Sequence, residues 1–288
     1  MLGTLLVAIV LAGQAEPAGA AEAEFAKEQQ KKWNAYYAQT AADYEITRGE
    51  GREQKLELKP EAVLHWSNPV REGETNGSVF VWTYNGRAEV VGTVFSHLVR
   101  GDPNVKVMAH SFQSLSPESL AGQRPGQPGA WSLSGAGIQP RPIPGSPPPA
   151  KSAAGRLSQM RELAREFSAT TTLDGVEQEL RLLTQPIHRQ AMATDEVLDG
   201  ALFTFVTGTD PELMLVIEAR PADGGDDGAG SDKGTSVWHY AAGRFTDLTL
   251  KLLHKKVELW THERGANLEG RPDPYVTGRY ELLPRIVE

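Results

Sequence analysis

Apolar residues recur along this chain with two different periods, and stretches of each period alternate. In 22–44 and 156–169 they return every three or four positions, which is typical of a helix with one buried face. In 77–98 and 201–219 rows of apolar residues stand two positions apart, which is typical of antiparallel strands. The pattern therefore predicts a helix followed by a β-hairpin, and it predicts this order twice.

The two hairpins define a predicted core face. Asn85 and Gly86 divide the first hairpin, and this pair is the one that best supplies the positive φ angles of a type I′ turn. The residues expected to point to the core are Val90, Val94, Leu213, Leu215 and Ile217. The opposite row is expected to face solvent and contains Thr93, His97, Glu218 and Arg220. The other predicted strands are 54–67, which Pro60 interrupts, 105–115, 236–245 and the hairpin 248–260.

The segments 77–97 and 200–220 align with each other without a gap. Identical residues stand at Gly77 and Gly200, at Phe80 and Phe203, and at Glu89 and Glu212. The sequence thus predicts an α+β fold of two tandem, internally duplicated units, each a helix plus an antiparallel β-meander. The expected divisions are 1–20 as a signal peptide, 21–121 as the first unit, 122–154 as a linker and 155–288 as the second unit.

The linker prediction rests on composition. Residues 122–150 are rich in Pro and Gly and keep no helical or strand period, so we expect no long element there. Trp131 and Ile143 are its candidate anchors to the surface. A second irregular stretch, 222–234, is acidic and rich in glycine, but its spacing matches no calcium-binding loop, so a solvated loop is expected.

The amino-terminal residues have the pattern of an export signal. Residues 1–13 form an apolar run too short to span a bilayer, and Ala18-Gly19-Ala20 fits the small-residue rule for cleavage before Ala21. No later segment is apolar enough to cross a membrane, so the mature chain is expected to be periplasmic or extracellular, without stable membrane insertion.

The chain shows two resemblances to known groups of proteins. The helix-then-meander order of each half is similar to the cystatin-like and nuclear-transport-factor-like α+β families, in which a curved sheet wraps one helix. The chain also resembles a group of exported bacterial proteins of unknown function, and this resemblance implies a secreted or periplasmic product but no activity. The segments that carry it are PVR (69–71), FVW (80–82), FVTGTDPE (205–212), WHYA (238–241) with RFT (244–246), the Pro-rich joint and the helix 156–169.

Composition excludes several classes of function. The chain has no cysteine, which excludes disulfides, a thiol nucleophile and a zinc site with thiolate ligands. Its formal net charge is −8, and its basic and acidic residues are mixed, so nucleic acid is not an expected partner. The six tryptophans are candidates either for core packing or for the wall of a sugar or lipid pocket.

Few residues are candidates for chemistry, and each has a structural alternative. His110 and His239 occupy matching strands, where they form either a symmetric metal-binding or titrating pair or two separate hydrogen-bonded rings. Glu89 and Glu212 form either an acid/base pair or ion pairs with arginines such as Arg87 or Arg71.

No nucleophile motif and no nucleotide-binding motif is present, so no cofactor is expected. The sequence therefore favours an exported non-catalytic module that binds a small apolar ligand, a lipid or a protein in the concavity of a curved sheet. The alternative is a secreted or periplasmic hydrolase of unrecognised type.

Overall fold

The described part of the chain is built mainly from β-strands. The computed structural model describes residues 18–68, 74–134, 137–190, 197–222, 236–264 and 273–286. Two helices, α1 (Ala18–Ala42) and α2 (Ala153–Arg165), lie among these residues. The predicted signal peptide falls outside them except for residues 18–20, whose backbone begins α1, and most of the acidic loop 222–234 also falls outside them.

Nineteen strands surround the two helices in the described residues. In chain order they are β1 (Glu45–Arg48), β2 (Gln54–Lys55), β3 (Glu57–Leu58), β4 (Leu64–Asn68), β5 (Thr75–Tyr84), β6 (Arg87–Val99), β7 (Asp102–Ser114), β8 (Leu120–Gln123), β9 (Trp131–Leu133), β10 (Arg141–Pro142), β11 (Phe167–Leu173), β12 (Val176–Leu182), β13 (His188–Gln190), β14 (Asp199–Thr207), β15 (Asp210–Pro221), β16 (Ser236–Arg244), β17 (Thr249–His254), β18 (Val257–His262) and β19 (Tyr275–Pro284).

The strands form three antiparallel sheets. A six-stranded sheet has the order β19-β7-β6-β5-β3, and β4 also pairs with β5. A nine-stranded sheet has the order β10-β16-β15-β14-β12-β11-β17-β18, and β13 also pairs with β14. A small sheet has the order β2-β1-β8-β9. Both predicted hairpins are present as β5–β6 and β14–β15, and they pair centrally in the two large sheets.

The predicted α+β class is wrong, and so is the picture of two helix-plus-meander units joined by a linker. Strands contribute far more of the described chain than the two helices do. The Pro/Gly-rich segment does not merely connect, because its strand β10 pairs with β16, and the tail strand β19 returns to pair with β7. The protein is therefore a mostly-β protein with large antiparallel sheets. Local periodicity predicted the elements, but these long-range pairings have no local signal.

Local chemistry explains the elements that the sequence predicted. In the β5–β6 turn Asn85 and Gly86 have φ angles of 49° and 80°, as a type I′ turn requires. Helix α2 begins after Ser152, whose Oγ accepts a hydrogen bond from the Gly155 N–H at 3.1 Å. Its apolar face, which includes Met160 and Leu163, is buried.

Three apolar clusters make up the core. One lies beneath α2 in the nine-stranded sheet and includes Ile217, and one lies beneath α1 in the six-stranded sheet and includes Val94. The third combines Val81 and Val91 of the six-stranded sheet with Met214 of the nine-stranded sheet. In this third cluster one face of the β5–β6 hairpin packs against one face of the β14–β15 hairpin, and we call this contact region the seam.

The seam changes one prediction about exposure. All five residues predicted to point to the core are fully buried, and they lie in the clusters beneath α1 and α2. However, Thr93 and Glu218, which were predicted to face solvent, are also buried, because their row faces the seam. That prediction is wrong because it gave each sheet only one covered face, whereas the two large sheets cover each other.

Candidate functional site

Glu89 lies in an ion-pair cluster at the seam. Its Oε1 accepts a hydrogen bond from Arg87 Nη1 at 3.0 Å and lies 3.2 Å from Arg48 Nη1. Arg87 Nη2 also lies 3.7 Å from Oε1 of Glu218 on β15, and Glu218 Oε2 accepts from Arg220 Nε at 2.9 Å. The cluster therefore joins the two large sheets, and the ion-pair alternative for Glu89 with Arg87 matches the contacts observed.

Glu212, the predicted counterpart of Glu89, is also buried. Its backbone carbonyl accepts a hydrogen bond from the Phe245 N–H at 2.8 Å. The other suggested arginine, Arg71, lies outside the described residues. The acid/base alternative for Glu89 with Glu212 stays untested.

The two histidines lie in different surroundings. His110 is on β7, fully buried, and its Nδ1 lies 2.8 Å from the Tyr44 hydroxyl. Burial lowers the pKa of His110 to about 3, and the positive charge of Arg124 adds to this effect. His239 is on β16 of the other large sheet, where its Nδ1 donates to the Val237 carbonyl oxygen at 3.3 Å. Each ring thus has its own hydrogen-bond partner, as the structural alternative expected.

A small cavity lies beside the Glu218 cluster. Its lining includes His188, Gln190 and Glu218, and its volume is about 20 Å³, which is room for one water molecule or two. His188 Nε2 and Gln190 Nε2 are buried with no hydrogen-bond partner among the described residues. Burial lowers the pKa of His188 to about 4, and Lys59 contributes in the same direction. The cavity is polar enough for water and too small for an organic ligand.

A larger cleft, which we call the seam cleft, lies where distant parts of the chain meet. Its volume is about 360 Å³, within the range of small-molecule sites. It is lined by Gln113, Gly137, Ile138, Gln139, Arg141, Tyr240, Ala242, Gly243, Arg244, Leu259, Trp260, His262 and Pro274. Both end strands of the nine-stranded sheet, β10 and β18, contribute to this lining. The sheet therefore curls until its two edges face the same space.

Gln113 and Arg244 form a rigid part of the lining. Gln113 Oε1 accepts a hydrogen bond from the Arg244 N–H at 2.9 Å, while its Nε2 donates to the Ser114 and Pro274 carbonyl oxygens. A Cβ at Gly243 would lie 2.9 Å from Gln113 Cγ, so glycine permits the close approach of these strands. The amide is buried and fully engaged, which holds β7 against β16 at this point.

The charge of Arg244 is balanced from outside the lining. Its Nη1 donates to Asp247 at 2.9 Å and its Nη2 donates to Asp273 at 2.6 Å. Its guanidinium carbon also lies 4.2 Å from the centre of the Tyr275 ring, in cation–π contact. Arg244 is thus held in place by three partners and has little freedom to move toward a ligand.

Aromatic rings and one further arginine complete the seam cleft. The Trp260 and His262 rings stack with centroids 6.3 Å apart and an interplanar angle of 19°. Burial and, to a smaller extent, the nearby Arg244 lower the pKa of His262. On the opposite edge strand Arg141 is exposed, and its guanidinium has no hydrogen bond or ion pair with any described residue.

Two wider surface grooves, of about 530 and 550 Å³, make weaker candidates. One contains Lys106, Glu74 and Arg285, and the other contains Arg264 and Asp247. Each groove therefore includes its own carboxylate as a counter-charge. The described lining of the seam cleft includes no Asp or Glu, so the charge of Arg141 has no counter-charge within that lining.

Almost nothing in the sequence pattern indicates the seam cleft. Trp260 was recognised only as one of six tryptophans and as the end of the predicted hairpin 248–260. His262 stands two positions beyond it, which is the spacing of side chains on one face of an extended strand. Arg141 lies in a segment without any period, so nothing local distinguishes it. No group of three or more possible metal ligands occurs in the described part of the chain.

Neither α1 nor α2 combines the length and the apolar character that crossing a bilayer requires.

Comparisons with known proteins add no further assignment. Searches of protein-family models, of curated proteins and of solved structures find no match to the chain.

Proposed function

We propose that the protein is a non-catalytic binding module that holds a small organic ligand in the seam cleft. The observation that carries this proposal is the curling of the nine-stranded sheet, which brings the edge strands β10 and β18 to opposite sides of one cleft. Ligand sites of this size usually combine apolar and aromatic walls with a few polar groups. Trp260, Tyr240 and Leu259 supply such walls, and Arg141 and Gln139 supply such groups.

The lining supports binding more than catalysis. Its described residues include no Ser, Thr, Asp or Glu, so they supply neither a serine or threonine nucleophile nor a carboxylate acid or base. The amide of Gln113 and the guanidinium of Arg244 are occupied by protein partners. No feature of the seam cleft favours the hydrolase alternative.

A cleft-filling variant tests the proposal. Ala242 lines the seam cleft, so Ala242→Trp should fill it, whereas Val257→Trp adds the same side chain at an exposed position of β18. We expect ligand-detected NMR with a set of aromatic, aliphatic and sugar fragments to find binders for the wild type and for Val257→Trp. Ala242→Trp should lose them. Binders that Ala242→Trp retains, or a complete lack of binders, would refute the proposal.

We further propose that the chain acts after export, on the basis of the apolar run 1–13 and the small residues that follow it. Amino-terminal sequencing of the protein purified from its own host should find Ala21 as the first residue. A mature protein that still begins at Met1 would contradict export by this route.

A further inference from the structure

We propose that the seam cleft selects ligands in which a carboxylate lies next to a flat ring. This inference rests on the proposed function and adds the chemical class of the ligand. It follows from the distribution of charge in the cleft and from the position of its aromatic rings.

Charge is the first argument. The protein has a formal net charge of −8, yet the described lining of the seam cleft contains two arginines and no carboxylate. Arg244 is neutralised by Asp247 and Asp273, so the unpaired charge is that of Arg141. The charge of Glu263 also acts on His262 of the lining, but this carboxylate is exposed and its effect on the ring is smaller than that of Arg244. A cleft with an unpaired guanidinium favours an anion over a neutral molecule.

The backbone holds Arg141 in a defined place, which makes it a suitable anchor for an anion. Arg141 pairs with Tyr240 in the ladder between β10 and β16. Two residues later the Ile143 N–H donates to the Trp238 carbonyl oxygen at 2.8 Å, and the Ile143 side chain is buried in the core beneath α2. The guanidinium therefore extends from a fixed strand and can form the paired hydrogen bonds that a planar carboxylate accepts.

Two aromatic rings lie on the other edge strand of the same sheet. Trp260 is only partly buried, and its stack with His262 presents two nearly parallel rings in the lining. Flat ring faces pack well against aromatic rings and against the apolar face of a sugar. A ligand that contacts both edges of the cleft would place its carboxylate at Arg141 and its ring at Trp260. An aromatic acid and a sugar acid share this chemistry.

Two matched pairs of probes separate charge from shape. Indole-3-acetate and indole-3-acetamide differ in charge on an aromatic ring, and glucuronate and glucose differ in charge on a sugar ring. We expect at least one acid to bind the wild type about ten-fold more tightly than its neutral partner in calorimetric or NMR titrations. The pair that shows the difference identifies the ring.

Variants assign the preference to residues. Arg141→Gln should abolish the ten-fold preference by weakening the binding of the acid, and Trp260→Leu should weaken both members of the pair. Arg165→Gln, which removes an exposed arginine outside the cleft, should behave like the wild type.

The inference and the proposed function fail in different ways. Equal affinity for acid and amide, a preference that survives Arg141→Gln, or no binding of any of the four probes would overturn the carboxylate inference. In each of these cases, fragments that bind the wild type but not Ala242→Trp would still support ligand binding in the cleft. If neither the probes nor such fragments bind, the proposed function is overturned as well.

Discussion

Ile217 and Glu218 are neighbours on β15 with side chains on opposite faces of the sheet, and both are buried. Ile217 lies in the cluster beneath α2, while Glu218 lies at the seam in contact with Arg87 and Arg220. An apolar residue and a charged residue are thus buried by different means, the first by packing and the second by arginine partners. At the scale of single residues, burial here reflects which sheet face is covered rather than residue type alone.

Truncation of Ile217 should be costly. Because this side chain is fully buried among packed apolar neighbours, Ile217→Ala should lower the free energy of unfolding by roughly 2–5 kcal/mol, measured by urea denaturation. Val257→Ala, at a position 63 % exposed, should change it by less than about 0.5 kcal/mol. A similar small change in both variants would contradict the assigned core.

His110 should make stability depend on pH. Its pKa is about 3 in the folded protein and about 6.5 when unfolded, so the fold retains the neutral ring and the unfolded chain takes up the proton. The neutral His110 ring therefore contributes fully to the free energy of unfolding above pH 6.5. As the pH falls from 6.5 toward 3, the free energy of unfolding decreases by roughly 1.4 kcal/mol per pH unit.

His110→Gln keeps an acceptor for the Tyr44 hydroxyl and removes the titrating ring. Urea denaturation at pH 7, 6 and 5 should therefore show a shallower loss of stability in this variant than in the wild type. His188→Gln should reduce the slope by a similar mechanism, since burial lowers the pKa of His188 to about 4. Unchanged slopes in both variants would show that neither ring is held neutral by the fold.

At the scale of elements, buried ion pairs attach the helix α2 to its sheet. Asp199 on β14 is fully buried, and its Oδ2 accepts from Arg156 Nε at 2.9 Å and from Arg189 Nη2 at 2.8 Å. Arg156 belongs to α2 and Arg189 to β13, so one carboxylate joins three elements. The Ser152 cap then determines where the helix begins.

Removal of this carboxylate should be more harmful than removal of an exposed one. Asp199→Ala leaves two guanidinium groups without their shared partner, and the expected loss is about 3–5 kcal/mol by chemical denaturation. Glu177→Gln, which breaks the exposed pair with Lys251, should leave the denaturation midpoint almost unchanged. Equal effects of the two changes would argue against a structural role for Asp199.

At the scale of the whole molecule, the two large sheets share contacts that span the chain. Thr209 Oγ1 donates to the Ser67 carbonyl oxygen at 2.7 Å and accepts from the Ser67 N–H at 2.8 Å, so the β14–β15 turn is attached to β4. The seam cluster and the pairing of β19 with β7 add further long-range contacts. The two large sheets therefore share a third cluster in addition to the separate clusters beneath α1 and α2.

Unfolding should consequently occur in one transition. Calorimetry should give a single peak whose calorimetric and van't Hoff enthalpies agree. Met214→Ala, in the middle of the seam, should move this whole peak to lower temperature, whereas Val176→Ala, at an exposed strand position, should not. Two separate peaks, or a split peak in the Met214 variant, would indicate that the halves unfold independently.

Features that depend on near neighbours in the chain could be predicted from the sequence, and features that depend on distant residues could not. The predicted helices 22–44 and 156–169 overlap α1 and α2, and Asn85-Gly86 is the predicted turn, because caps, turns and apolar periods depend on near neighbours. The predicted α+β class was wrong because strands make up most of the described chain. The prediction of two separate units was wrong because β10 and β19 pair with strands far away in the chain, and such pairings leave no local pattern.

The candidate site shows the same division. Arg87 could be suggested as a partner of Glu89 because it stands two positions away, but Glu218 could not, since it reaches Arg87 only when the two sheets meet. The seam cleft requires Gln113, Arg141 and Trp260 to converge from three separate parts of the chain. No local pattern specifies that convergence.

The sequence by itself determined where helices and hairpins form and which of their rows is apolar, because those properties arise from dihedral preferences and from the repeat of side chains along one element. Only the tertiary structure decided that the opposite row is also buried, that both edges of one sheet face a common cleft, and that Arg141 has no ion pair there with a described residue. These outcomes depend on the packing of whole sheets, since the free energy that selects a pairing is shared by residues distant in the chain.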